Sequence, residues 1–242
     1  MKKIIYLFIA GSVFWAGAVV AQSKVEKTTI VNKSLNNKVI NAAIGSKTTA
    51  NVGSVSIQKS KVTRSKISNK SLNNKVINAA IGSNSTANTG SVNIKNAKVN
   101  KVKINNKSIN SKVVNAAIGR NAEANVGSVN ISRAKVSNTK LSNKSLNSGV
   151  VNAAIGLNTT ANVGSINISR AQVNSVNISN KSINAGVVNA AIGVGATANV
   201  GSVNVSDTSV SGLTIHNASV NAGTVNVAIG AGSADSGSIN VQ

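Results

Sequence analysis

The sequence has no Cys and no Pro, and it has only four acidic residues among 242. Its aromatic residues are confined to the first fifteen positions (Tyr6, Phe8, Phe14 and Trp15), and no Met follows Met1. Without cysteines, disulfides do not stabilise the chain. Without aromatics, the core must be formed by Val, Ile, Ala and a few Leu, which favours a thin, repetitive interior over a thick globular core.

The scarcity of carboxylic acids and of histidine argues against catalysis. Glu26, Glu123, Asp207 and Asp235 are scattered along the chain, and His216 is the single histidine. General acid–base and nucleophilic catalysis need such groups close together, and metal sites need several ligands. The sequence therefore predicts that the protein is not an enzyme and that it holds no metal or other cofactor.

The N-terminus has the pattern of a secretory signal peptide. Lys2 and Lys3 precede the apolar segment Ile4–Val20, and small residues up to Ala21 suit cleavage before Gln22. We therefore predict a signal peptide over residues 1–21 and a secreted protein that passes through the periplasm to the extracellular space or the cell surface. An uncleaved membrane anchor is the alternative, since this apolar length is near the minimum for spanning a bilayer.

The rest of the chain is one repeated unit with a period of 37 residues. We expect a lead-in over residues 22–31 and a single repeat domain over 32–242, because a unit this small cannot bury a core without stacked neighbours. The repeats begin with the motif NKS, or NAS in the last copy, at Asn32, Asn69, Asn106, Asn143, Asn180 and Asn217.

Within each unit, Val, Ile or Leu recurs every five residues between polar positions. This rhythm predicts short strands joined by tight corners. The successive segments ANVGS, VNISR, AKVSN and TKLSN (124–143) resemble pentapeptide-repeat proteins, a family whose chain winds as a four-sided β-helix. Since 37 is not a multiple of five, turns of 18–19 residues fit as well. We predict an all-β fold, a β-solenoid of six repeats with about two rungs per repeat, giving a rod roughly 50 Å long at ~4.8 Å per rung.

Two further resemblances imply a stacked β-architecture. The segment AIGSNSTANTGSV (80–92) is similar to the head repeats of trimeric autotransporter adhesins. The combination of a signal peptide with Asn- and Gly-rich repeats resembles the secreted functional-amyloid subunits of the curli and Fap type. This second resemblance implies self-association into fibres.

The positive charge is concentrated in the first half of the repeat domain. Residues 22–143 contain 21 basic and two acidic residues, whereas residues 144–242 contain three basic and two acidic ones. If equivalent positions stack, lysines form outer columns that could bind a polyanion such as extracellular DNA, lipopolysaccharide or acidic polysaccharide; the alternative is a solvated face that keeps the protein soluble. The candidate polyanion-binding residues are Lys38, Lys75 and Lys112; Lys61, Lys98 and Lys135; and Lys66, Lys103 and Lys140.

Asparagine has its own repeated positions. One Asn precedes the Ala residues of the AIG segment in every unit, and we expect these side chains to form a hydrogen-bonded ladder between stacked turns. Outward asparagines that simply suit turns are the alternative. The NKS motif also matches a glycosylation sequon, but we interpret it as a corner of the chain. The candidate ladder residues are Asn41, Asn78, Asn115, Asn152, Asn189 and Asn226.

These observations predict a non-catalytic function. The leading hypothesis is a secreted structural subunit of an extracellular fibre or biofilm matrix, which assembles by β-stacking and has basic stripes for polyanions. The alternative is a monomeric β-helical adhesin or polyanion-binding surface module. The nearly uncharged C-terminal repeats favour self-association at that end, because Val-, Ile- and Asn-rich segments without Pro add readily to β-sheet edges.

Overall fold

The structure is a computed structural model that describes residues 4–9, 24–47, 49–206 and 209–241. All regular secondary structure in these ranges is β-strand. The predicted fold class, an all-β solenoid, is confirmed by parallel strands that stack turn upon turn. Most of the predicted signal peptide, including the cleavage site before Gln22, lies outside the described residues.

Twenty-five strands form the described part of the solenoid. In chain order they are β1 (Ile4–Ile9), β2 (Lys24–Glu26), β3 (Thr29–Ile44), β4 (Thr49–Val52), β5 (Val55–Gln58), β6 (Lys61–Thr63), β7 (Lys66–Ile81), β8 (Thr86–Thr89), β9 (Val92–Lys95), β10 (Lys98–Asn100), β11 (Lys103–Ile118), β12 (Glu123–Val126), β13 (Val129–Ser132), β14 (Lys135–Ser148), β15 (Val151–Ile155), β16 (Thr160–Val163), β17 (Ile166–Ser169), β18 (Gln172–Ala185), β19 (Val188–Ile192), β20 (Ala196–Val200), β21 (Val203–Ser206), β22 (Ser209–Ala222), β23 (Val225–Ile229), β24 (Gly232–Ser236) and β25 (Ile239–Val241).

The strands belong to three parallel sheets. The largest sheet contains 13 strands, which are β1, β2, β3, β6, β7, β10, β11, β14, β15, β18, β19, β22 and β23. The second sheet stacks β4, β8, β12, β16, β20 and β24, and the third stacks β5, β9, β13, β17, β21 and β25. The second and third sheets therefore take one strand from every turn and the largest sheet takes two, as a stacked solenoid allows.

One repeat makes one turn. Lys66 pairs with Lys103, and Lys103 pairs with Lys140, so neighbouring turns are 37 residues apart. The prediction of about two rungs per repeat is therefore wrong. The five-residue rhythm marks corners and inward side chains within one wide turn, and the strands of a repeat are divided among three sheets. Six turns at ~4.8 Å each give a rod of roughly 29 Å, not 50 Å.

The interior is filled by aliphatic columns of decreasing size. The largest cluster contains Val92, Ile94, Val99 and Ile104 together with their equivalents in the other turns. A second cluster is a valine column that includes Val76. A third consists of alanines. The chain thus forms a buried core from small and medium aliphatic side chains without aromatic residues.

The corners of each turn use positive φ angles. In the second turn Arg64, Lys75, Asn84 and Asn96 have φ of 48°, 53°, 56° and 54°. Glycine is required in the AIG segment for a different reason. A Cβ added to Gly82 would overlap the carbonyl group of Gly45 in the neighbouring turn. Only glycine fits this close backbone contact.

The two ends of the solenoid differ. At the N-terminal end β1 pairs with β3 over residues 29–34. The segment predicted as a lead-in already follows the solenoid, since Lys24 pairs with Lys61 and Thr29 with Lys66. At the C-terminal end β22, β23, β24 and β25 pair on one side only within the described chain. The last turn is one residue short, because Ala196 pairs with a residue 36 positions later.

Candidate functional site

The nine candidate lysines form three outer columns over the first turns. All nine are exposed. Backbone register aligns the members of two columns directly: Lys98 lies between Lys61 and Lys135, and Lys103 lies between Lys66 and Lys140. Neighbouring backbones in such a column are ~4.8 Å apart, and unit charges at this distance repel by about 1 kcal/mol in water before salt screening.

The third lysine column stands at a bend in the long strands. Lys38, Lys75 and Lys112 have φ of 54°, 53° and 51°, in the left-handed region. An L-residue with a Cβ is disfavoured there by about 1–2 kcal/mol relative to the right-handed region. In the last three turns Gly149, Gly186 and Gly223 occupy the same bend with φ of 56–58°. The first three turns thus place a charged side chain at a bend where glycine fits better.

Other basic residues extend this surface. A fourth column of exposed lysines comes from the NKS motif: Lys33, Lys70, Lys107, Lys144 and Lys181 lie in register through five turns. Our sequence reasoning missed it, although its 37-residue spacing was visible. Positive φ also occurs at ten basic residues, whose corners project side chains into solvent. They are Lys27, Lys38, Lys47, Lys59, Arg64, Lys75, Lys101, Lys112, Arg133 and Arg170.

Acidic residues are spread over separate elements. Glu123 Oε2 contacts the Nζ of Lys95 at 2.9 Å, and the same Nζ donates to Thr86 Oγ1 at 3.1 Å. Glu26 lies on β2 and Asp235 on β24, while Asp207 is outside the described residues. Within the described ranges no three His, Asp or Glu side chains converge on a potential metal site. The arrangement offers dense positive charge for binding anions.

The six candidate ladder asparagines stack in one column. Their Nδ2 atoms donate to the Oδ1 of the next residue in the series at 2.8–2.9 Å, from Asn41 through to Asn226. The four central members are fully buried. Each also reaches across the turn: Asn115 Nδ2 donates to the backbone oxygen of Ala87 at 3.1 Å. The ladder therefore joins neighbouring turns and joins the long wall to the second sheet.

The NKS asparagines form another ladder. Asn69 is 1% exposed, and its Nδ2 donates to Asn106 Oδ1 at 2.9 Å. The interpretation of NKS as a corner is therefore wrong, because the motif lies within the long strand. Stacking decides this orientation: an inward amide in every turn is satisfied by its neighbours. The column comprises Asn32, Asn69, Asn106, Asn143, Asn180 and Asn217.

Three further columns were missed, and each could have been found from its 37-residue recurrence. The columns of the second and third sheets contact each other, since Asn162 Nδ2 of the second sheet also donates to Asn130 Oδ1 of the third at 3.3 Å. One column is Asn36, Asn73, Asn110, Asn147, Asn184 and Asn221. The others are Asn51, Asn88, Asn125, Asn162 and Asn199, and Asn93, Asn130, Asn167, Asn204 and Asn240.

The ladders have a direction. In the three ladders of the long strands each amide donates toward the C-terminal turn, so the N-terminal end presents the Oδ1 of Asn32, which is buried without a partner. The ladder of the second sheet runs in the opposite direction, and its last acceptor, Asn199 Oδ1, is also unpaired. Buried polar atoms without partners are rare in proteins. Here they mark places where a ladder stops.

Comparisons with protein-family models, curated proteins and solved structures found no significant match to this chain. In the described part of the chain, no helix has the length and apolarity needed to cross a membrane. The site is therefore interpreted from its own geometry: exposed basic columns in the first turns, and asparagine ladders of the long strands that reach the open strand edges of the last turn.

Proposed function

We propose that the protein is a secreted structural subunit of an extracellular fibre or biofilm matrix. In this proposal the subunits stack head to tail: the last turn of one molecule pairs with the first turn of the next. The basic columns of the first turns then recur along the fibre and bind an anionic matrix component such as extracellular DNA, lipopolysaccharide or acidic polysaccharide. No chemical step is involved.

The observation that carries this proposal is the match between the two ends of the ladders. In the long strands, the last turn ends in the amides of Asn217, Asn221 and Asn226, and the first turn begins with the oxygens of Asn32, Asn36 and Asn41. A second molecule added in the same direction therefore continues each ladder with donor facing acceptor. The unpaired backbone edges of the last turn support the same arrangement, since open edges add strands.

The second candidate function is a monomeric β-helical adhesin or polyanion-binding surface module. The observation that favours it is the exposure of all nine candidate lysines in an isolated molecule. Binding to phosphate or carboxylate charge needs no assembly, and it weakens as salt rises.

Negative-stain electron microscopy of residues 22–242, at physiological salt before and after incubation, tests the choice. The fibre proposal predicts unbranched fibres. Persistent particles about 30 Å long, the height of six turns at ~4.8 Å, would overturn it in favour of the monomeric module.

A matched pair of variants tests the ladder mechanism. Asn221 accepts from Asn184 at 2.7 Å, so Asn221→Asp keeps this bond but removes the amide offered to the next molecule. We expect folded subunits that form fibres much more slowly. His216→Asp adds the same charge at an exposed position on the same strand and should assemble faster than Asn221→Asp. Equal rates for the two variants would contradict the mechanism.

A further inference from the structure

The outer side of the long strands carries an apolar stripe, by which we mean three adjacent outward columns of every turn. In the second turn these are Ile77, Ala79 and Ile81, of which the two isoleucines are 47% and 40% exposed. The other members are Ile40, Ala42 and Ile44; Val114, Ala116 and Ile118; Val151, Ala153 and Ile155; Val188, Ala190 and Ile192; and Val225, Val227 and Ile229.

This wall is inverted relative to an ordinary half-buried strand. Its inner side presents Val76, Asn78 and Ala80, all fully buried, while the larger Ile77 and Ile81 point outward. A strand normally turns its large aliphatic residues to the core and its polar residues to water. A contiguous exposed apolar face of this kind marks an interaction surface.

The stripe continues through all six turns, whereas the lysines do not. No charged residue occurs in the segments 39–44, 76–81, 113–118, 150–155 or their two later equivalents, while the chain has no Lys or Arg after Lys181. A polyanion would be recognised by the charged columns of the first turns. The molecule that covers the stripe must instead be apolar, and its surface must repeat at the same interval as the turns.

The shape of the stripe suits a copy of itself. The columns are roughly 7 Å apart along the strand and ~4.8 Å apart between turns, so the face measures about 13 Å by 24 Å. Across most turns the three columns carry a large, a small and a large side chain. Sheets with apolar faces of this kind pack face to face at a spacing of about 10 Å. A two-fold axis that is parallel to the solenoid axis and passes through the alanine column places Lys75 opposite the partner's Ser83, because both lie four residues from Ala79. Stacked lysines then do not face one another.

We propose that the apolar stripe is a homotypic interface through which two copies of the solenoid pack side by side, sheet against sheet. One subunit offers a face of roughly 300 Å², well below the ~800 Å² per partner typical of stable complexes. The interface therefore gains strength when subunits are joined end to end, because the stripe then runs along the whole fibre. In this respect the inference rests on the proposed function, and it predicts paired fibres.

Single cysteines test this contact cleanly, because the chain has no cysteine of its own. Ala116→Cys places a thiol at the centre of the stripe. Ser132→Cys, a small residue of similar intermediate exposure in the third sheet, is the control. After incubation of residues 22–242 and treatment with a short bismaleimide, we expect several-fold more crosslinked dimer for Ala116→Cys. Equal yields, or no crosslinking at the stripe, would overturn the inference.

A second variant separates side-by-side packing from end-to-end assembly. Ala116→Lys combined with Ala153→Lys places charges in the middle of the stripe, away from the ends of the solenoid. We expect single fibres from this variant where the parent forms pairs in electron micrographs. If neither protein forms fibres, the proposed function fails, while crosslinking at Cys-substituted Ala116 still decides the interface.

The test also distinguishes a lipid surface as the occupant. The Ala116→Cys protein is mixed with vesicles of phosphatidylcholine containing one quarter phosphatidylglycerol, and maleimide labelling is followed. Vesicle flotation with protection of this thiol, without crosslinked dimers, would assign the stripe to a membrane and overturn the homotypic interface. Added salt supplies a further readout: it should promote packing between these basic subunits, because screening weakens their mutual repulsion.

Discussion

Asn32 donates from Nδ2 to the Oδ1 of Asn69 at 2.8 Å, yet its own Oδ1 is buried and has no partner. The backbone of β1 pairs with this edge of β3, and Leu7 is in register with Asn32. A preceding turn with asparagine at this position would satisfy the oxygen.

Removal of the leader should accelerate assembly. The chain 22–242 exposes the edge of β3 that β1 occupies in the full chain. We expect it to show a shorter lag in light-scattering assays than the chain 1–242. A chain whose first 21 residues are replaced by a Gly/Ser segment is the control for length. Equal lags for all three chains would mean that β1 does not block the edge.

The end of the second-sheet ladder predicts a stabilising substitution. Asp235 lies in register with Asn199, whose Oδ1 is buried and unpaired. Asp235→Asn supplies an amide at this position, and pairing the oxygen should add about 1 kcal/mol to the free energy of unfolding. Urea unfolding followed by circular dichroism measures the change. Asp235→Ala removes the charge without adding a donor, and a similar gain from alanine would show that the hydrogen bond is not the cause.

The central ladder predicts a large loss of stability. Asn115→Asp removes donation to Asn152 and to the backbone oxygen of Ala87, and it places an acidic group at a fully buried site. We expect a loss of at least about 3 kcal/mol. Asn121→Asp makes the same chemical change at an exposed position of the same turn and should cost less than about 1 kcal/mol. Thermal unfolding that is equal for both variants would contradict a structural role for the ladder.

Substitutions in the lysine column at the bend should weaken DNA binding without lowering the free energy of unfolding. Lys75→Gly combined with Lys112→Gly relieves the positive φ at both sites, so the free energy of unfolding should stay equal or rise by about 1 kcal/mol. Binding to duplex DNA should weaken, and the slope of log K against log salt should fall by about 2.

The control for that experiment removes the same charge elsewhere. Lys47→Gly with Lys59→Gly relieves two other positive φ angles, at corners outside the three columns. This double variant should gain similar stability but keep more of the DNA affinity. If both pairs weaken binding equally, net charge rather than the column governs binding.

The sequence was sufficient for the fold class, because a 37-residue unit that recurs with equivalent residues in every copy buries a continuous core by stacking. It was not sufficient for the length of a turn. Corners at residues such as Arg64 and Asn96 divide one wide turn into short segments, and short segments joined by corners are also what narrow rungs produce. The distinction depends on which strands pair, and local spacing does not encode it.

The orientation of the long wall was also not predictable from local pattern. In the segment 76–81 both alternating faces contain apolar residues: Val76 and Ala80 on one, Ile77 and Ile81 on the other. Side-chain size favours the isoleucines as core, but the structure turns Val76, Asn78 and Ala80 inward. The amide of Asn78 decides this, because inside the wall it meets Asn115 and two backbone oxygens.

The one-turn repeat also has a mechanical consequence. Each turn is held by its neighbours through the same set of backbone bonds and asparagine contacts, and among the described strands those of one turn do not pair with one another. A pull on the ends of the chain should therefore peel turns away singly, beginning at an open end. Each release frees 37 residues, or roughly 125 Å of extended chain at ~3.4 Å per residue. A fibre built from such units would yield under load in equal steps and lengthen before it breaks.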